Sequence, residues 1–71
     1  MEKESSKSIC YFVTFCIEQY KRSKGMSGSD VVTFFDQYGV LEYLSNNYET
    51  LHTQDYRWVL DDIDQYIANR Q

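Results

Sequence analysis

The chain has 71 residues, of which 42% are hydrophobic and 25% charged, a balance too apolar for a disordered tail and too charged for a membrane protein. Its net charge of −4 and pI of about 4.7 oppose unaided nucleic-acid binding, where phosphate neutralisation supplies most of the affinity, and favour a basic partner surface. A chain of this length makes one domain, near the lower limit for folding without disulfides, metal or oligomerisation; residues 1–71 are read as a single helical domain, with 1–7 a frayed N-terminus.

Nothing in the first residues resembles a signal peptide, and no apolar run reaches the roughly 20 residues of a spanning helix. The expectation is a cytoplasmic protein. The first element follows from Ile9, Phe12, Val13, Cys16, Ile17 and Tyr20, which keep the i, i+3, i+4, i+7 spacing of an amphipathic helix. Ser5 or Ser6 caps its start. Lys21, Arg22 and Lys24 set positive charge against the negative end of the helix dipole before Gly25 stops it. Tyr11 and Phe15 lie off the apolar stripe, four residues apart, and are candidates for contact with another molecule. Cys10 and Cys16 stand about 240° apart around the helix and cannot pair with each other. Without a CxxC or a Cys/His cluster near them, both are read as buried free thiols.

After the Gly25–Ser29 loop, Ser27 followed by Asp30 forms a capping-box variant that starts a second helix. Val31, Phe34, Phe35 and Tyr38 make its apolar face, and Gly39 is placed for the left-handed conformation that ends it, with Val40 folding back on Phe35. A third helix carries Leu41, Leu44, Tyr48 and Leu51. His52 closes that helix, and Thr53 caps a fourth whose stripe is Tyr56, Val59, Leu60, Ile63 and Ile67. With no proline and no alternating apolar pattern, the fold class is all-α, a compact bundle of four short helices.

Little here points to catalysis. His52, the one histidine, lacks a second ligand or a nucleophile at motif spacing and reads as a structural residue at a turn. The glycines lack the lysine and preceding strand of a phosphate loop. No enzyme activity, metal or cofactor is expected, and a metal-assisted hydrolase built on His52 and the aspartates would lack a convergent pocket. Asp61, Asp62 and Asp64 are more informative, because each helix-interior aspartate costs roughly 0.5–0.7 kcal/mol relative to alanine. They are read either as a solvated face or as an acidic patch that meets Lys or Arg on a partner or on the first helix. Twelve residues are Phe, Tyr or Trp, more than so small a core encloses, and Tyr11, Phe15, Tyr43 and Trp58 fall off the core stripes. Helical spacing gathers Trp58, Asp61, Asp62 and Gln65 on one outward surface, the residue types of an interface anchor with a charged surround.

The run Tyr43-Leu44-Ser45-Asn46-Asn47-Tyr48-Glu49-Thr50-Leu51-His52-Thr53, followed by Val59-Leu60-Asp61-Asp62-Ile63, resembles a family of small bacterial proteins known as domain of unknown function 3791. That family shows a Tyr-x-x-Leu-His-Thr element before a short acidic helix with an Asp-Asp-Ile motif. The Ser-Gly-Ser-Asp start of the second helix and Gly39 also look alike, so the resemblance runs from Ile9 to Ile67. None of these motifs is catalytic. The resemblance implies a neighbouring ADP-ribosyltransferase-like protein and hence a toxin and antitoxin pairing. The expected function is therefore a protein–protein interaction module, an antitoxin-like or adaptor partner of a second bacterial protein, with a homodimer served by the same features. The alternative is a helix-turn-helix-like DNA regulator, which would need basic and amide side chains on its recognition helix; the third helix carries no Lys or Arg, and the fourth sets Arg57 and Arg70 among acids.

Overall fold

Local signals set the helix boundaries, beginning at Ser27, whose side chain accepts the Asp30 N–H at 3.1 Å and satisfies one of the donors that a helix start leaves free. The computed structural model describes residues 6–71, and its elements in chain order are α1 (Ser6–Lys24), α2 (Gly28–Tyr38), α3 (Val40–Asn46), α4 (Tyr48–Leu51) and α5 (Tyr56–Arg70). Among the described residues there is no strand, and the chain is an all-α bundle. Ser6 and Lys7, expected in a frayed N-terminus, belong to α1. The rest of that expectation, and the capping role given to Ser5, lie outside the described residues.

Gly39 ends α2 as its position predicts. Its φ of 72° and ψ of 23° are left-handed, and its N–H returns to the carbonyls of Phe35 and Asp36. A side chain there would be strained. Val40 follows at once, fully buried with Phe35, so the turn into α3 begins inside the core.

Two expectations are corrected between residues 40 and 56. The single helix predicted over Leu41–Leu51 is broken at Asn47 (φ −113°, ψ 20°) into α3 and the single turn α4, so the described residues form five helices, four of them of seven residues or more, within the small bundle expected. The side chains around the break take up backbone carbonyls: Ser45 Oγ donates to Leu41 O at 2.9 Å and Asn47 Nδ2 to Tyr43 O at 2.8 Å. Such bonds compete with the helix ladder. The cap of α5 is Asp55 rather than Thr53. The Asp55 carboxylate accepts the Arg57 N–H at 3.1 Å, while Thr53 Oγ1 donates backward to Thr50 O at 2.9 Å. That N–H, more than the neighbouring guanidinium charge, holds the Asp55 carboxyl below its usual range.

One residue or more from every helix meets in the core: Cys16 and Tyr20 from α1, Val31 and Phe35 from α2, Val40 and Leu44 from α3, Leu51 from α4, and Val59, Ile63 and Ile67 from α5. Aromatic edges knit it, with Tyr20 against Phe35 at a 5.0 Å centroid separation and Phe12 against Tyr48 at 5.5 Å, the edge-to-face geometry that ring quadrupoles favour. His52 closes α4. Its Nδ1 lies 2.7 Å from Tyr48 O, and its ring stacks on that of Tyr48 at 4.3 Å.

The thiols split. Cys16 is buried but Cys10 is exposed, because its position falls outside the Cys16–Tyr20 stripe that faces the core. Burial pushes the Cys16 thiol up to about 12.

Candidate interaction surfaces

The core stripe of α5 turns its opposite side outward. Counting 100° per residue, Trp58, Asp61 and Gln65 point away from the line of Val59, Ile63 and Ile67, with Asp62 at their edge. The structure brings these four together as the lining of one shallow surface depression. Trp58 is 49% exposed there, a large indole that contributes nothing to the buried core.

The three aspartates of this helix divide by direction. Asp61 faces solvent. Asp62 turns toward α3 and accepts the Tyr43 hydroxyl at 2.5 Å. Asp64 turns toward α1, accepting the Tyr20 hydroxyl at 3.0 Å and the Lys24 ammonium at 3.0 Å. Two of the three carboxylates therefore tie α5 to its neighbours, and the pairing of the acidic run with a lysine of the first helix holds for Asp64. Burial, then the hydrogen bond to Asp62 and its charge, push the Tyr43 hydroxyl up to about 12. The same causes in the same order, with Asp64 as acceptor, raise Tyr20 above the ordinary tyrosine range. Both tyrosines stay neutral donors at physiological pH. Tyr43, expected off the core, is half-buried and stacks on Tyr66 at 4.0 Å, with the Arg70 guanidinium 4.4 Å from the far ring's centroid.

A second exposed surface lies on α1 and the start of α5. Tyr11 is 69% exposed and Phe15 45%, and the Phe15 ring meets Tyr56 edge-on at 6.2 Å. Tyr56 was expected in the α5 core stripe; in its first turn it is 42% exposed instead. Phe15 and Tyr56, with Phe12, Cys16, His52 and Leu60, wall a cavity of about 100 Å³. Position 56 follows directly on the cap at Asp55, and recognising that cap in the sequence would have marked Tyr56 as a first-turn residue. Tyr56 and Trp58 are two positions apart, about 200° around α5, so the Tyr11–Phe15–Tyr56 group and the Trp58 group look out in different directions and form two surfaces.

Among the described residues no group of three or more His, Cys, Asp or Glu is placed to hold a metal ion, and no helix is long and apolar enough to cross a membrane. Short helices around one apolar core, with aromatic side chains left outside it, define a small all-α domain with two aromatic surface patches. The chain belongs to the family described as "Protein of unknown function (DUF3791)", whose model matches residues 11–70. No curated protein and no solved structure matches it.

Proposed function

We propose that this protein is a protein-interaction module, an antitoxin-like or adaptor partner of a second bacterial protein, and that it docks through the outer side of α5. The observation that carries this reading is the exposed Trp58 beside Asp61, Asp62 and Gln65 in one depression. A large aromatic anchor ringed by polar groups is what interface hot spots are made of. The charge of −4 makes a basic partner surface the favoured complement, and the toxin class suggested by the family resemblance is ADP-ribosyltransferase-like. Duplex DNA has less to recommend it, since α3 and α4 carry Glu42 and Glu49 and no Lys or Arg.

The test is a comparison of baits in a lysate of the native host. Wild-type protein should capture one stoichiometric partner that Trp58→Ala loses, while Asp61→Asn weakens capture and reduces its sensitivity to salt. Equal capture by wild type and Trp58→Ala would remove the α5 surface from the reading. A sequence-selective shift of duplex DNA at nanomolar protein would replace it with the regulator alternative.

A further inference from the structure

The cavity of about 100 Å³ between α1, the end of α4 and the start of α5 is graded from dry to polar. Cys16 and Val59 are its buried floor, and Phe12 and Leu60, half-buried, are its walls. The exposed rings of Phe15 and Tyr56 flank the mouth. Burial keeps the Cys16 thiol protonated at physiological pH, so the floor is uncharged. Gln19, His52 and Gln54 supply the polar groups. The His52 ring approaches Tyr48 O through Nδ1 at 2.7 Å; a carbonyl only accepts, so Nδ1 carries the proton, and in the neutral ring Nε2 is left as an acceptor. Among the described residues, no Asp, Glu, Lys or Arg lines this space.

We propose that this cavity binds a small neutral aromatic molecule of one ring bearing a hydroxyl, the phenol class. Size sets the ring: a dry apolar cavity of about 150 Å³ takes up benzene, and this smaller one holds a single six-membered ring with its substituent at the mouth. Charge excludes the acids and amines, since a carboxylate or ammonium would lose its hydration and find no ionic partner in the lining. The polar side selects a donor, because His52 Nε2 and the two glutamine carbonyls are acceptors. Phe15 and Tyr56 stand perpendicular at 6.2 Å, and a third ring beside them gains the edge-to-face contacts that aromatic pairs favour. A docked helix would need a row of sockets at i, i+3 or i+4 and i+7, and an extended peptide a strand edge. The space is instead one compact socket, and the described residues contain no strand, so the occupant is a free molecule rather than the tip of a partner protein. The site stands independently of the α5 reading.

Titration of the full chain with p-cresol, followed by heteronuclear NMR, tests it. Saturable shifts should centre on Cys16, His52 and Leu60, with a Kd of about 0.1–1 mM, the range that a ligand of so few atoms reaches. Toluene, which lacks the donor, should bind about threefold to tenfold more weakly, and benzylamine and benzoate should produce no saturable shifts. N-acetyltyrosinamide, the same ring carrying peptide groups, should bind at least about tenfold more weakly than p-cresol. Cys16→Met lengthens the floor side chain into the empty space; it should melt at or above the wild-type temperature and weaken p-cresol by about tenfold or more. Tyr56→Ala, at an exposed position outside the core, removes one side of the mouth and should weaken it by about threefold. Shifts that do not saturate, or that scatter over the surface, overturn the proposal. So does p-cresol binding that neither Cys16→Met nor Tyr56→Ala changes, or benzylamine binding as tightly as p-cresol. N-acetyltyrosinamide binding as tightly as p-cresol overturns the assignment to a free molecule.

Discussion

Replacing Asp64 by alanine separates a carboxylate that holds the fold from one that merely decorates a helix. Asp64 accepts from Tyr20, a residue 4% exposed, and from Lys24. A hydrogen bond to a charged acceptor is worth about 1.5–3 kcal/mol, and the lower end applies because the Asp64 side chain is 41% exposed and water replaces part of what is lost. The exposed pair with Lys24 adds about 0.2–1 kcal/mol. Against these stands a gain of roughly 0.5–0.7 kcal/mol from placing alanine in a helix interior. The expected net loss is about 1–2 kcal/mol, or roughly 5–15 °C in Tm for a domain of this size. Asp61→Ala is the control. Asp61 is exposed, with no side-chain hydrogen bond among the described residues, so only the helix gain remains and stability should rise by about 0.5 kcal/mol. Urea unfolding followed by circular dichroism reads both, and a cycle with Tyr20→Phe should show coupling of about 1 kcal/mol. Equal midpoints for Asp64→Ala and Asp61→Ala, or additive losses in the cycle, would refute the assignment.

Gly39→Val should destabilise by more than about 1 kcal/mol through backbone strain at positive φ; the nearest atom to an added Cβ is the Tyr66 hydroxyl at 3.9 Å, an ordinary contact, so Gly39→Ala should lose nearly as much, and a wild-type melting temperature in either variant would contradict the helix end described. The two thiols should react at very different rates, Cys10 promptly and Cys16 only on unfolding, read by a chromogenic disulfide; two fast equivalents in the native protein would contradict the burial of Cys16. Because the Cys16 thiol is raised from 9.0 to about 12 in the fold, the folded state binds the proton more tightly. Its contribution to stability is complete below pH 9 and lost as pH climbs toward 12, so urea midpoints should fall across that window and fall less in Cys16→Ala.

What was legible in the sequence was what neighbouring residues decide among themselves. Ser27 with its acceptor three residues on, Gly39 at the end of an apolar stripe, and the spacing of Ile9 to Tyr20 each act within one or two turns, where residue type constrains geometry directly. The break at Asn47 was hidden because Leu41, Leu44, Tyr48 and Leu51 keep their three- and four-residue steps across it. The Ser45-Asn46-Asn47 run, poor in helix propensity and rich in side chains that bond carbonyls, was the available signal. At the start of α5, Thr53 and Asp55 are both good caps, and nothing local ranks one above the other. The Trp58 group was legible because helix period alone assembles it. The division of labour among Asp61, Asp62 and Asp64 was not, since the hydroxyls of Tyr43 and Tyr20 lie 19 and 44 residues away in sequence.

Those two hydroxyls also brace α5, whose buried stripe of Val59, Ile63 and Ile67 sets how it is clocked about its own axis. The Tyr43 tether pulls on one flank of the helix and the Tyr20 tether on the other, so a twist in either direction stretches one bond while slackening its opposite. A rod held this way resists torsion from both flanks. The heading of Trp58 is thus fixed by the buried stripe beneath it and steadied from both flanks by two residues on other helices.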